Sequence, residues 1–443
     1  MICIRCDTRA CVTEIKRNGD ILRMKKGLKN DLKLAVFSAI IGAVCALVFW
    51  VFLVTVKWGT MFLWDVLPEK TGIFRFGMYP VIICTAGGLL IGLFRKAVGD
   101  YPENMMTVFG TIKKTGTYPY KKMPVLFIAA VLPLIFGSSV GPEAGMVGIV
   151  AALCCWAGEN LKFAKERSKM YSEIGMEVTL SVMFRSPLFG IFEGQEGDDE
   201  DGTEKKVPGS RALYCLSAGA GFGCFYLLNQ LYRASEGFPS FDVISPEKSD
   251  VFLSVLYLAC GLILGMFFEF SEKFFEKAAE KIPPILSEMI AGAVLGLAVC
   301  FLPVLKFSGE EQMGVLIRDF ALYAPIAMIG ISFLKVVLTN MCIRLGLKGG
   351  HFFPLIFSAV CFGYGVSLMV YPGDGSHATF AAAIVAAATL GLTIRKPLAV
   401  SMLLLLCFPV RSLLWIVPAA ALASIIGRRI GSKEKNERGK EET

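Results

Sequence analysis

The feature that most constrains this chain is a succession of long stretches without charge. Leu34–Val56 (LAVFSAIIGAVCALVFWVFLVTV) holds no charged residue, and a helix of about twenty apolar residues crosses the hydrocarbon core of a bilayer. Similar segments recur as far as Ile426, and only 19% of the 443 residues are charged while 55% are hydrophobic. A soluble chain would carry about a quarter charged residues. In lipid, backbone polar groups have to be satisfied within the segment itself, so the expected fold is an all-α polytopic membrane protein. Several segments are short and broken by Pro or Gly, at Pro133, Gly137, Gly141, Pro187, Gly350, Pro354 and Pro397. Non-helical backbone at membrane depth survives only where protein or water covers it. A transporter or channel with a buried polar site fits this pattern, and a simple anchor does not.

The net charge of +8 is concentrated at the ends, in Lys16, Arg17, Arg23, Lys25, Lys26, Lys29 and Lys33, then in Arg428, Arg429, Lys433, Lys435, Arg438 and Lys440. Positive flanks stay on the cytoplasmic side, which predicts both termini inside and an even number of crossings in the plasma (inner) membrane. The expected organisation is a basic cytoplasmic segment (1–33), a transmembrane domain (34–426) and a short polar cytoplasmic tail (427–443). No aromatic or groove-reading partners accompany the basic residues, so nucleic acid is not an expected partner. No small-residue cleavage site follows the first apolar run, which argues against a signal peptide. Met24, followed by KKGLKNDLK, is an alternative start that would leave residues 1–23 untranslated. The linker Glu193–Lys206 (EGQEGDDEDGTEKK) holds seven acids and three glycines and no apolar residue, the composition of a solvated loop. Most of the fourteen Cys lie in apolar runs as small hydrophobes. Cys3-x-x-Cys6 with Cys11 lacks a fourth ligand close by, and the two His (His351, His377) are distant in sequence. Neither a metal nor a cofactor is expected.

Residues 136–150 (FGSSVGPEAGMVGIV) place one carboxylate, Glu143, beside Gly141, Pro142 and Gly145 at the start of an apolar helix. An acid in the membrane interior marks a functional site; an acid in the first turn of a helix at the water interface is ordinary. A second glycine-punctuated break, LKGGHFFPLIFSAV (347–360), tips the balance. Two half-helices starting at these breaks can aim their N-termini at one spot. Each N-terminus offers free N–H groups and a partial positive charge, together an anion site. Such a site binds without a full countercharge, so the ion can also leave. Glu143 then reads as a tethered anion: ionised, it fills the site, and protonated, it swings away, acting as gate and proton carrier. A weak internal echo supports a two-half build: TLSVMFRSPLFGIF (179–192) resembles AATLGLTIRKPLAVSM (387–402), with halves at about 34–231 and 251–426.

These residues resemble the CLC family of chloride channels and proton/chloride antiporters. The family's Gly-Lys/Arg-Glu-Gly-Pro signature is similar to Gly141-Pro142-Glu143-Ala144-Gly145, and its Gly-x-Phe-x-Pro to Gly350-His351-Phe352-Phe353-Pro354. FSGEEQMGVLI (307–317), FRSPLFGIFEGQE (184–196) and ATFAAAIVAAATLGLTIRKPLAV (378–400) look like further family segments in the same order. The resemblance implies an inverted repeat of broken, tilted helices, a homodimer with one anion path per subunit, and no cytoplasmic CBS domains. It implies chloride transport gated by Glu143, as a channel or a proton-coupled antiporter. It also implies an anion site at Gly99, Gly141, Gly350, His351, Phe352 and Phe353.

The sequence departs from the family at two donors. The Gly-Ser-Gly-Ile-Pro signature is represented by Val98-Gly99-Asp100-Tyr101-Pro102, so Gly99 stands where a serine is expected, and no Tyr follows Tyr371. Fluoride or nitrate is the alternative anion on that account. The antiporters' inner proton glutamate would fall on Gly197, leaving Glu193 and Glu196 as candidates within the acidic loop. Plainer roles stand beside these: His351 as a cap on backbone carbonyls, Phe352 and Phe353 as packing, Ser138 and Ser139 as small helix-contact residues. Lys348 and Arg344 read as snorkelling or steering charges, and Glu177 and Glu288 as helix-end charges. A membrane-embedded enzyme would need a positioned nucleophile and base, and no Gly-x-Ser-x-Gly or His-Glu-x-x-His pattern supplies one.

Overall fold

A computed structural model describes residues 8–71, 77–115, 117–160, 168–184, 186, 188–190, 192, 210–234, 239–241 and 246–441. Among these, helices carry the fold: α1 (Thr8–Met61), α2 (Tyr79–Val98), α3 (Met105–Thr115), α4 (Met123–Ile135), α5 (Glu143–Asn160), α6 (Ser168–Met183), α7 (Ser210–Leu231) and α8 (Lys248–Ala279). The series continues with α9 (Leu286–Phe301), α10 (Glu310–Arg318), α11 (Pro325–Arg344), α12 (Phe352–Val370), α13 (Ala378–Ile394), α14 (Pro397–Leu404) and α15 (Leu413–Glu441). Seven of the described helices are long and apolar enough to cross a membrane, while α5, α9 and α13 are shorter apolar helices. Pro opens α11 and α14 and lies in the first turn of α2 and α4, where its missing N–H removes no helix bond. Arg95 and Lys96 in the last turn of α2, and Arg344 in that of α11, meet the negative helix ends.

Small residues hold the helices together. On α2, Gly88 lies against the backbone of Glu288 and Gly92 against Ile285; on α9, Gly292 lies against Cys84 and Gly296 against Pro80. Lipid tails are as apolar as leucine, so helices associate here through close van der Waals contact instead of exclusion from water. The α8–α13 crossing is built the same way, with Gly261 on Val385 and Gly265 on Thr389. At the centre, α13 is buried at every residue from Phe380 to Leu392. Gly292→Val is therefore expected to wedge α2 from α9 and to lower stability by about 1–3 kcal/mol, an overpacking penalty. Thermal unfolding in detergent measures it, and an unchanged melting temperature would contradict the tight crossing.

The short, broken segments expected from the sequence are present as helix–break–helix units. After α4 the chain turns at Gly137 (φ 86°) and restarts as α5; after α11 it turns at Gly346 (φ 104°) and restarts as α12. The sequence echo coincides with a second pair of breaks. Helix α6 ends at Met183 and residues 188–190 are helical again, while α13 ends at Ile394, is capped by Arg395 (φ 63°), and is followed by α14 from Pro397.

Candidate functional site at two facing helix starts

The two glycine breaks meet in space. The Gly141 N–H donates to the Gly350 carbonyl at 2.7 Å, and the Gly350 N–H donates to the Gly141 carbonyl at 2.8 Å. They form an isolated antiparallel bridge, which fixes the starts of α5 and α12 side by side. Glu143, the first residue of α5, is 2% exposed. Its Oε1 accepts the backbone N–H of Phe352, the first residue of α12, at 2.7 Å. Its Oε2 is buried without a hydrogen-bond partner among the described residues. The carboxylate thus sits at the positive ends of two helices, where an inorganic anion would also bind. A Cβ on Gly141 or Gly350 would run into this carboxylate, so both positions need a residue without one. Their own N–H groups are spent on each other, and the donors facing the acid belong to the helix starts.

The surroundings hold this junction still. Phe352 and Phe353 are each 3% exposed. Phe184, just past the end of α6, stacks on Phe353 at 5.1 Å between ring centres and lies 5.8 Å from Phe352. Phe184 therefore abuts the site. Ser139 shares a 3.1 Å hydrogen bond with Thr339 of α11, while the buried Ser138 hydroxyl has no partner among the described residues. The Phe307 N–H donates to the Gly137 carbonyl at 3.1 Å. Behind Phe307, the fully buried Lys335 of α11 donates to the carbonyls of Leu305 (2.9 Å) and Phe307 (2.6 Å).

The remaining expected residues divide. The ring of His351, at the N-cap of α12, packs between Phe268 (5.3 Å) and Phe352 (4.8 Å). Gly99 ends α2 with φ 111°, and its N–H is taken by the Arg95 carbonyl at 2.9 Å, so it has no amide to offer an ion. Glu193 and Glu196 lie outside the described residues. Glu288 is a buried helix-start cap: its Oε2 accepts the Ile285 N–H at 2.6 Å and its Oε1 accepts from Arg95. Arg344 pairs with Glu272 at 2.6 Å. Lys348 pairs with Asp100 at 2.6 Å, two positions before Gly350. The sequence reading assigned nothing to Lys335, to Phe184 or to Glu310. Glu310, in the first turn of α10, acts electrostatically on Glu143. An uncommon acid pair following Gly309 was the available signal for it.

Comparison with known proteins bears on the family and the fold. A family model described as "Voltage gated chloride channel" matches residues 82–428. The chain is 23% identical over 320 residues to the voltage-gated ClC-type chloride channel ClcB of Escherichia coli O9:H4 (strain HS), covering 70% of this chain and 73% of that protein. Its fold matches the crystal structure of a CLC-type fluoride/proton antiporter, with a TM-score of 0.70, 19% identity, and coverage of 90% and 96% of the two chains. It also matches a slow cyanobacterial Cl−/H+ antiporter, with a TM-score of 0.71, 16% identity, and coverage of 90% and 95%. The architecture is accordingly the all-α CLC-type inverted repeat of broken, tilted helices, a multi-pass integral membrane fold. With the family model spanning most of its length and the paired helix starts in place, this chain belongs to the voltage-gated chloride channel (CLC) family.

Proposed function

We propose that this protein carries chloride across the membrane along a path gated by Glu143, as a CLC-type channel or a proton-coupled antiporter. The observation that carries the reading is the Glu143 carboxylate itself, buried at two helix N-termini and accepting the Phe352 N–H. An acid in that position competes with a free anion for the same donors. When ionised it occupies the site, and when it binds a proton it loses the charge that the helix ends favour and yields its place. One group thereby links anion passage to proton uptake. Gly141, Gly350, Phe352 and Phe353 shape the site, and His351 lines its edge. Glu193 and Glu196 are the proposed inner proton groups.

The working unit we infer is a homodimer in the plasma (inner) membrane, with the transmembrane domain spanning about 34–426 and both basic termini cytoplasmic. It is a transport protein and not an enzyme. Fluoride is the second reading, favoured by one observation: the Gly99 backbone N–H is engaged with Arg95 and no side-chain hydroxyl stands at that position.

The test is purified protein in chloride-loaded liposomes, with anion efflux and proton movement recorded together. Uphill proton movement driven by a chloride gradient supports the antiporter, and chloride efflux without protons supports the channel. Folded protein that passes fluoride but not chloride would replace the first reading with the second. Folded protein that passes neither would overturn both.

A further inference from the structure

The strongest cluster of charge outside the Glu143 site lies where α2 ends against the loop leading to Gly350. Arg95 pairs with the buried Glu288 and with Asp100, and Lys348 pairs with Asp100. Asp100 is shared between the two cations. Its Oδ1 accepts from Arg95, whose Nε lies 2.8 Å away, and its Oδ2 accepts from Lys348 at 2.6 Å. Each carboxylate oxygen therefore has its own cation, the arrangement of an anion held in a two-cation site. The cations are fixed more firmly than the acid. The side chains of Arg95 and Lys348 are 21% and 25% exposed, against 63% for Asp100. Asp100, just past the end of α2 at Gly99, is the most exposed of these side chains. It can swing into water, whereas Arg95 is anchored to Glu288.

The charge balance gives this mobility a consequence. The four paired side chains cancel as they stand, and with Asp100 swung away one net positive charge remains among them, with Glu103 as a further acid acting on Lys348. Burial alone would raise the carboxyl's proton affinity, but Lys348 and Arg95 outweigh it and hold Asp100 below its ordinary value. It therefore stays ionised at neutral pH, as a competing anion must. Burial, with Arg95 close by, holds Lys348 below its ordinary value, and Asp100 and Glu103 offset this only in part. Lys348 also lies near Glu143. Two residues of extended chain span at most ~7 Å, which sets the Lys348 backbone that close to Gly350, whose place is against Glu143.

We propose that Arg95 and Lys348 form a second site for a small inorganic anion, beside the Glu143 gate, which Asp100 fills as a tethered plug. An incoming anion takes the two cations when Asp100 moves to solvent, and Asp100 returns when the anion passes on. This rests on the reading of the chain as an anion transporter. It supplies side-chain donors close to the position where Gly99 offers none. It also sets how tightly the approach to the gate holds an ion, because a docked plug lowers the apparent affinity in proportion to the time it spends in place.

The experiment measures melting temperature in detergent as sodium chloride, and separately sodium fluoride, replaces sodium gluconate at constant ionic strength. The proteins compared are wild type, Asp100→Asn and Asp100→Asn/Lys348→Met. In Asp100→Asn the half-saturating anion concentration is expected to fall roughly tenfold, the effect of removing an occupant present nine-tenths of the time. The double variant is expected to lose the gain. Equal anion dependence in wild type and Asp100→Asn would overturn the proposal, and so would a gain that survives in the double variant. If Asp100→Asn does not fold, Asp100→Ser is read by the same criteria. Binding is read here without transport, so a wild type that carries no anion in liposomes fails the functional reading and leaves this test standing on its own result.

Discussion

In Glu143→Gln, chloride efflux from liposomes is expected to rise and to lose its dependence on pH. Glutamine keeps the size of the acid and an oxygen that can accept the Phe352 N–H, but it carries no charge for the two helix ends to hold. A hydrogen bond to a charged group is worth about 1.5–3 kcal/mol against about 1 for a neutral pair. Removing the charge therefore shifts the plug from docked to undocked by roughly two- to thirtyfold. In the wild type, the sign of the pH effect follows from the ionised form being the blocker: acidification should increase anion passage. In the variant, one rate should hold at every pH, and a chloride gradient should drive no protons. Glu143→Ala, which removes the plug altogether, should be at least as fast as Glu143→Gln. A Glu143→Gln protein that keeps the wild-type pH profile would mean that another group is the gate, and Glu310 would be the first to examine.

Lys335→Met is expected to cost about 3 kcal/mol of stability and to blunt the pH response as well. The lysine is fully buried and gives its ammonium to the carbonyls of Leu305 and Phe307. Methionine matches its length and supplies no donor. One buried and one half-buried carbonyl would lose a partner at about 1–3 kcal/mol each, offset in part by no longer burying a charge. The effect on gating follows from the next bond along, in which the Phe307 N–H holds the Gly137 carbonyl at the start of the loop that delivers Glu143. Thermal unfolding and the pH profile of efflux measure the two effects. If Lys335→Met melts with the wild type, the lysine does not brace this turn.

The Glu143 site was legible in the sequence because its chemistry is unusual locally. An acid among apolar residues beside Gly and Pro is visible in any window of fifteen, and so is Gly-Gly before Phe-Phe-Pro. Their meeting was legible only as an inference from two like breaks, since Glu143 and Phe352 lie 209 positions apart. Lys335 was not legible at all. Within ISFLKVVLTN it resembles a lysine that snorkels to the interface, and backbone carbonyl partners leave no mark on composition. Asp100 showed only as a departure from an expected pattern. Its meaning depends on Arg95 one turn back and on Lys348 in the other half of the chain. The glycines of α2 and α9 were visible as residues, but the register that sets Gly88 on Glu288 and Gly292 on Cys84 comes from the packed pair.

The reciprocal bonds between Gly141 and Gly350 also bear on how the protein is made. Each glycine belongs to a different half of the chain, so a ribosome that has released the first half has made Glu143 but not the helix start that receives it. Until the second half arrives, the Gly141 N–H and carbonyl have no mate, and in lipid an unmet backbone group costs several kcal/mol. Passage and its control are completed in one step, when two strands one residue long find each other. The seat of Glu143 is thus a joint product of both halves of the chain, complete only once they meet.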